Sequence, residues 1–206
     1  MNLTRKSILI IFGILLADQV LKYIIKTNML LYEDIPVLGN WFILKFIEND
    51  GMAFGLDLPG NNGKLVLTLF RIVAVIAIGF YLRHLIRIKS HQGLVISLAL
   101  IMAGALGNII DSVFYGVIFS ESSQFATAVL FPEGGGYASL MHGHVVDMFY
   151  FPIIRTEWPS WVPLKGGDPF EFFRPVFNIA DSSITSGVFL ILIFQKRFFH
   201  HEQGGE

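Results

Sequence analysis

Residues 93–118 read GLVISLALIMAGALGNIIDSVFYGVI, and this stretch decides the fold class. A helix rises 1.5 Å per residue, so a run of this length spans the ~30 Å hydrocarbon core of a bilayer. The strongly polar residues within it, Asn108 and Asp111, both lie in its C-terminal half. Three further apolar runs have a similar length, near residues 7–25, 64–83 and 177–195. The sequence therefore predicts an all-α membrane protein with four transmembrane helices.

The composition supports this class. Of the 206 residues, 53% are hydrophobic and 15% are charged, whereas soluble domains average about 25% charged residues. The net charge of -1 gives no basic surface for nucleic acid, so no nucleic-acid partner is expected. The chain has no cysteine, which excludes disulfides, thiolate nucleophiles and Cys-ligated metals.

Basic residues in the short connections predict the orientation of the helices. The termini and the loop between the second and third runs hold Arg5, Lys6, Arg83, Arg87, Lys89, Lys196 and Arg197. We expect both termini to be cytoplasmic and two longer segments, about 26–63 and 119–176, to face outside. Within the first of these, residues 41–48 are rich in aromatic and β-branched residues and predict a short strand. No linker divides the chain, so residues 1–206 are interpreted as one integral membrane domain.

The intramembrane polar residues share one level. Measured by helical rise, all of them fall in the outer halves of the predicted helices: Asp18, Lys22, Arg71, Asn108, Asp111, Asn178 and Asp181. A charge in hydrocarbon costs at least ~2.5 kcal/mol, so such a group of residues predicts a shared, partly wet pocket that opens outward. Asp18, Lys22 and Arg71 are equally compatible with a role in fastening the bundle. Asp181 has no neighbouring cation in sequence and is a functional candidate.

Three kinds of chemistry are open to these residues. His142, His144 and Asp147 could ligate zinc in a membrane hydrolase. A cluster of Asp and Lys residues could relay protons in a carrier subunit. Two carboxylates, Asp147 and Asp181, could share a proton and activate water for peptide hydrolysis. Sequence alone does not bring these two together, and Asp18, Asp50 and Asp111 are competing partners.

Five motifs in chain order resemble those of lipoprotein signal peptidase, also called signal peptidase II. They are Asp18-Gln19 with Lys22, Asn49-Asp50-Gly51-Met52-Ala53-Phe54-Gly55, Gly104-Ala105-Leu106-Gly107-Asn108-Ile109-Ile110-Asp111, Val145-Val146-Asp147 and Phe177-Asn178-Ile179-Ala180-Asp181-Ser182. The resemblance implies four membrane helices with a small extended cradle on the outer face of the bacterial cytoplasmic membrane. It also implies an aspartic endopeptidase that cleaves diacylglyceryl-modified prolipoproteins just before the lipidated cysteine.

Carried over by motif, Asp147 and Asp181 match the family's catalytic aspartates, and no metal or organic cofactor is implied. The positions that match its substrate-binding or supporting residues are Asp18, Lys22, Asn49, Gly51, Ala53, Gly107, Asn108, Asp111, Asn178 and Ala180. Gly51, Ala53 and Gly107 are expected to allow a close approach of the substrate backbone. The expected partners are a lipid-modified prolipoprotein and membrane lipid, and the protein is expected to be a monomer.

The sequence departs from the family in two respects. Ser112 follows Asp111 where the family usually has Arg, so a cationic contact to substrate is absent at this position or comes from Arg71 or Arg174. The outer segments around residues 119–140 and 152–175 are also longer than expected of the family, and their role is open.

Overall fold

The computed structural model describes residues 2–50, 61–163, 165–172 and 174–199. Its four long apolar helices are α1 (Leu3–Asn28), α2 (Asn61–Arg87), α3 (Gln92–Ile110) and α5 (Ile179–Phe199). A π-helical turn (Asp111–Tyr115) and the single turn α4 (Gly116–Ile118) extend α3. The prediction of four helices long and apolar enough to cross a membrane is therefore confirmed.

Helix α3 is the centre of the bundle, because α1, α2 and α5 all pack against it. Small residues allow its closest approach to α5. A Cβ atom on Gly104 would lie 2.1 Å from the carbonyl oxygen of Ala180, and one on Gly187 would lie 2.6 Å from that of Ser97. Membrane helices that cannot gain from the hydrophobic effect associate through such close packing. The outer surfaces of α1 and α2 expose large apolar side chains such as Phe12 and Phe80, as expected for surfaces in contact with lipid.

A small antiparallel sheet lies at one end of the bundle. Its strands are β1 (Asp34–Leu38), β2 (Phe42–Asn49), β3 (Val145–Tyr150) and β6 (Val176–Phe177), in the order β1-β2-β3-β6. The strand predicted at residues 41–48 corresponds to β2. Between Leu44 and Ile47 the register of β2 against β3 shifts, and beyond this irregularity Ile47 pairs with Asp147 and Asn49 with Val145. The sheet thus delivers Asp147 and Asn49 side by side to the end of the bundle.

The π-helical turn is held by residues 141–143, which follow the outer segment at residues 119–140. The amide of Gly143 donates to the carbonyl of Ser112 at 2.9 Å, and that of Met141 donates to the carbonyl of Val113 at 3.0 Å. These bonds satisfy backbone acceptors that a wider helical turn leaves without intrahelical partners. Gly143 is required at this contact, because its Cβ would lie 2.1 Å from the carbonyl oxygen of Asp111.

The element boundaries differ from the predicted ones at several points. Helix α1 continues to Asn28, beyond the predicted end near residue 25, and α2 continues to Arg87 rather than residue 83. The last helix begins at Ile179, because β6 and the turn after it occupy residues 176–178. A second, separate hairpin forms within the longer outer segment, with β4 (Ile154–Glu157) paired to β5 (Pro169–Phe172). Hydropathy located the apolar core of each helix but not the polar turns that prolong it.

Candidate active site

Asp147 occupies the middle of β3 and is almost completely buried, with 4% of its surface exposed. Two side-chain amides hold its carboxyl group. Asn178 Nδ2 donates to Oδ1 at 2.7 Å, and Asn49 Nδ2 donates to Oδ2. The strand register supplies Asn49, and the turn before α5 supplies Asn178. One carboxyl group is therefore fixed in orientation by residues from two separate motifs.

Asp181 lies in the first turn of α5, where the partial positive charge of a helix N-terminus favours a carboxylate. Its Oδ1 accepts a hydrogen bond from Asn108 Nδ2 at 2.8 Å, and its Oδ2 accepts one from the backbone amide of Asn178 at 3.3 Å. The backbone amide of Asp181 in turn donates to Asn178 Oδ1 at 2.8 Å. This reciprocal pair caps the start of α5.

Asn108 and Asn178 connect the two aspartates. Asn178 Nδ2, which donates to Asp147, also lies 3.2 Å from Asn108 Oδ1, and Asn108 donates to Asp181. The two carboxyl groups therefore lie on either side of a pair of amides rather than at unrelated places in the bundle. Amides are suited to this position because they donate hydrogen bonds without adding charge.

A fully buried ion cluster lies behind the amide pair. Lys22 Nζ is 2.9 Å from Asp18 and 2.7 Å from Asp111, and it donates to Asn108 Oδ1 at 2.9 Å. Gln19 Nε2 donates to Asp111 Oδ1 at 2.9 Å. The interpretation that Asp18 and Lys22 fasten the bundle fits these contacts, and Asp111 belongs to the same cluster. Through Asn108 the cluster also orients the hydrogen bond that Asp181 receives.

A cavity of about 800 Å³ lies beside the two aspartates. Of the five candidate aspartates, Asp147 and Asp181 line it, together with Asn49 and Asn108. Asp18 and Asp111 point into the ion cluster, and Asp50 contacts Lys64 and His144. The remaining walls are mainly apolar and come from α2, α3 and α5: Phe70, Ala74, Val75, Ile78, Ala105 and Ile184.

The environment of Asp147 favours its neutral form. Burial, and secondarily the charge of Asp181, raise the pKa of the Asp147 carboxyl from 3.8 to about 8. Asp147 therefore holds a proton at neutral pH. A carboxyl that holds a proton, beside a second carboxyl on the same cavity, is suited to general acid–base chemistry.

The structure also shows the surroundings of Ser112, which stands where the family usually has Arg. Ser112 is buried, and its hydroxyl donates to the carbonyl of Asn108 at 2.9 Å within the helix. Its side chain therefore does not line the cavity. Arg71 from α2 and Arg174 from the segment before β6 both do. The guanidinium of Arg71 also interacts electrostatically with Asp181 and Asp111.

The alternative zinc site is not formed. His142 Nδ1 lies near Ser139 Oγ and the carbonyl of Leu140, at 3.0 and 2.9 Å. His144 Nδ1 lies 2.8 Å from Asp50 Oδ1. Asp147 is engaged by amides instead, and no group of three His, Cys, Asp or Glu residues within the described parts of the chain could hold a metal ion. The alternative of a zinc site at His142, His144 and Asp147 does not fit this arrangement, because each of the three side chains contacts a different set of neighbours.

His144, Asp50 and Lys64 instead form a polar cluster that joins β2, α2 and the start of β3. Lys64 Nζ is 2.6 Å from Asp50 Oδ1. Hydrogen bonds and charge from Lys64 and His144 outweigh burial and keep the pKa of Asp50 below its usual value. Burial and the charge of Lys64 lower the pKa of His144. The cluster directly follows Asn49 in the chain, so it holds the end of the strand that contacts Asp147.

Sequence reasoning missed a second buried ion pair. Lys26 Nζ contacts Glu48 and donates to Ser122 Oγ at 2.9 Å, and its ammonium group lies over the ring of Tyr137 at 4.9 Å. The pair connects α1 to the sheet and to the outer segment at residues 119–140. Its signal was present in the spacing, because Lys26 is one helical turn beyond Lys22 on the same face. It was overlooked because α1 was expected to end before it.

Of the small motif residues expected to allow a close approach of the substrate backbone, the structure describes Gly107. Gly107 is buried and does not line the cavity, and a Cβ atom there would lie 2.8 Å from Asp18 Oδ2 and 3.1 Å from Ala180 Cβ. Its small size therefore admits Asp18 and Ala180 rather than substrate. The backbone amide of Ala180 donates to Asp18 Oδ1 at 2.9 Å. Gly51 and Ala53 lie outside the described residues.

Comparison with known proteins is decisive at this point. Residues 10–197 match the family model of signal peptidase (SPase) II. The chain belongs to the signal peptidase II family. The resemblance seen in the five motifs is thereby confirmed, and a carrier subunit or zinc hydrolase is excluded as the family of this chain.

Individual relatives of this signal peptidase agree with the family model. The lipoprotein signal peptidase of Porphyromonas gingivalis is 51% identical over 89% of the chain and 80% of the relative. That of Amoebophilus asiaticus is 37% identical over 87% and 72% of the respective chains. A bacterial membrane enzyme solved by the in meso method at 2.3 Å superposes with a TM-score of 0.62 at 28% identity, covering 98% of this chain and 93% of that one. This signal peptidase is therefore a multi-pass bacterial membrane protein.

Proposed function

We propose that this signal peptidase is an intramembrane aspartic endopeptidase that removes signal peptides from diacylglyceryl-modified prolipoproteins, cleaving just before the lipidated cysteine. The observation that carries the proposal is the pairing of Asp147 and Asp181 on one cavity, bridged by Asn108 and Asn178. The family assignment supports the substrate class.

The two aspartates divide the reaction between them. Asp181, at the helix N-terminus, acts as the ionised member and takes a proton from a water molecule, which attacks the scissile carbonyl. Asp147 carries a proton and donates a hydrogen bond to the developing oxyanion. The proton received by Asp181 then passes to the leaving amine. Asn49 and Asn178 keep Asp147 in place, so little reorganisation accompanies the reaction.

The shape of the cavity supports a substrate that is partly peptide and partly lipid. Its polar end holds the aspartates, Asn49 and Arg174, and suits the peptide groups around the cleavage site. Along α2 and α5 the lining becomes apolar at Ala74, Ile78 and Ile184, where acyl chains or the apolar signal segment lose no hydrogen bonds. Arg71 and Arg174 together provide the cationic contact to substrate carbonyls that Ser112 does not supply.

We further propose the placement of the molecule in the membrane. The whole chain acts as one domain of the bacterial cytoplasmic membrane, with both termini in the cytoplasm and the sheet forming a cradle at the outer face. The arrangement of basic residues supports this orientation, because they gather at the end of the bundle remote from the sheet. A monomer suffices for the mechanism, since one chain supplies both aspartates.

Cleavage of a lipidated prolipoprotein by the purified protein tests the function. We expect release of the signal peptide from the diacylglyceryl-modified substrate and much slower release from the same precursor without the modification. We also expect turnover to persist in a chelator, because Asp147 and Asp181 require no metal. Activity that disappears in chelator and returns with zinc contradicts the aspartic mechanism, and equal cleavage of both precursors contradicts the substrate assignment.

A further inference from the structure

A second cavity, of about 440 Å³, lies at the end of the bundle away from the aspartates. It is formed by the first turns of α1 and the last turns of α2, with Met102 of α3 at its base. Most of its lining is apolar and comes from Ile8, Ile11, Gly79, Leu82, Ile86 and Met102. This apolar lining lies between two membrane helices, so it is suited to contact the acyl chains of lipids.

The end of this groove at the last turns of α2 carries positive charge. Arg83 and Arg87 both line it, and a spacing of four residues places them on one face of α2. Thr4 from α1 adds a hydroxyl group beside them. Neither arginine forms an ion pair with a carboxylate in the described ranges 2–50, 61–163, 165–172 and 174–199. The groove thus combines an apolar trough with two guanidinium groups at its mouth.

Within the described residues, the helical turns that form this groove carry no aspartate or glutamate. Aspartate and glutamate are absent from residues 2–17 and 65–110, which include the residues that line the groove. The same end carries Arg5, Lys6, Arg83, Arg87, Lys89, Lys196 and Arg197. An anion bound at the groove is therefore attracted by the arginines that line it, and guanidinium groups suit the two oxygens of a phosphodiester.

We propose that this groove binds one anionic phospholipid, with its phosphodiester headgroup on Arg83 and Arg87 and an acyl chain along Ile8, Leu82 and Met102. Basic pockets between membrane helices at the headgroup level are a known mode of lipid recognition. A zwitterionic lipid presents the same phosphate with a compensating cation and gains less from two arginines. The site is separate from the catalytic cavity and serves to hold α1 and α2 against α3 at this end.

Native mass spectrometry of the full-length protein in detergent, titrated with dioleoyl phosphatidylglycerol or dioleoyl phosphatidylcholine, tests the proposal. We expect phosphatidylglycerol to bind on the order of 10-fold more tightly, and glycerol phosphate without acyl chains not to displace it. Arg83→Ala with Arg87→Ala should abolish the preference. The matched control, Lys196→Ala with Arg197→Ala, removes the same charge outside the groove and should retain it.

A second pair of variants tests the acyl trough without altering charge. Gly79→Leu fills the groove, since even a Cβ at this glycine reaches Met102, whereas Gly13 has open space on the lipid-facing surface of α1. We expect Gly79→Leu to weaken phosphatidylglycerol binding several-fold and Gly13→Leu to leave it unchanged, with prolipoprotein cleavage in detergent retained in both as a measure of folding. Equal binding of the two lipids, or equal losses in the groove and control variants, overturns the proposal.

Discussion

At the residue scale, the site depends on which polar groups contact which carboxyl group. The motifs selected Asp147 and Asp181 as the catalytic pair, and the structure brings both to one cavity. They did not reveal the amide bridge, since Asn108 and Asn178 come from segments that meet only in the folded bundle. Nor did spacing show that Asp18 and Asp111 share Lys22, which leaves them occupied away from the cavity.

The raised pKa of Asp147 has a consequence for stability. An unfolded carboxyl titrates near 3.8, whereas the folded one titrates near 8, so the native state holds an extra proton between these values. The contribution of Asp147 to stability is therefore full below about pH 4 and declines as pH rises towards 8. We expect Asp147→Asn, which cannot ionise, to melt at a higher temperature than the wild type at pH 8.

Melting temperatures in detergent between pH 5 and pH 9 measure this effect. The difference between Asp147→Asn and the wild type should grow with pH and level off above about 8. Asp34→Asn, at an exposed ion pair with Lys45, is the control and should follow the wild type. A difference that shrinks with rising pH contradicts a raised pKa for Asp147.

The arginines of the cavity make a separate prediction. If Arg174 binds substrate carbonyls, Arg174→Ala should raise KM about 10-fold with little change in kcat, as expected for a lost charge-assisted hydrogen bond. Arg71→Ala should raise KM and lower kcat as well, because Arg71 also interacts with Asp181. Arg197→Ala, at the end of α5, is the control. Unchanged kinetics in both cavity variants would remove the cationic contact from the account.

At the scale of elements, the bundle depends on α3 and on the ion cluster that joins it to α1. Hydropathy predicted the apolar core of each helix, and the residues of β2 predicted a strand. The π-helical turn at Asp111–Tyr115 gave no signal in sequence, because it depends on hydrogen bonds from the distant segment at Met141 and Gly143. The polar last turn of α1 was missed for the same reason, since Glu48 and Ser122 lie far from Lys26 in the chain.

The ion cluster predicts unequal effects of three Asp-to-Asn changes. Lys22 contacts two carboxylates, so removing one leaves its charge paired with the other and should cost less than the about 3–5 kcal/mol of a buried charge left without any partner. An exposed pair contributes about 0–1 kcal/mol. We therefore expect Asp18→Asn and Asp111→Asn to lower the melting temperature measurably and Asp34→Asn hardly at all. The fraction of each variant that folds should still cleave substrate. Equal melting temperatures in all three would show that Lys22 does not hold α1 to α3.

At the scale of the whole molecule, one end of the bundle is basic and the other carries the sheet and the paired aspartates. The positions of the basic and polar residues along the chain predicted this division. The hairpin of β4 and β5 was not predicted. The path of residues 119–140 was beyond sequence reasoning, since it depends on contacts with α1 and β2 such as those of Ser122 with Lys26 and Glu48. The proposed orientation in the membrane rests on this basic end.

A reporter fused after Gln203 tests the orientation. The proposed topology places it in the cytoplasm, so a phosphatase active only outside should be silent there and a cytoplasmic reporter should be active. A fusion within the outer segment at Gly134, where a side chain meets open space, is the control and should give the opposite pattern. An outside location at Gln203 contradicts the four-span arrangement.

The central claim is that Asp147 and Asp181 form one catalytic unit. Asn nearly matches Asp in shape but can neither take a proton from water nor return it to the leaving amine, so the loss should be at least about 10²–10⁴-fold. The decisive measurement is the cleavage rate of a lipidated prolipoprotein by folded, purified Asp147→Asn, Asp181→Asn and the double variant. We predict that each single change abolishes turnover while substrate still binds, and that the double variant is hardly worse than either. Substantial turnover by either single variant would contradict the claim.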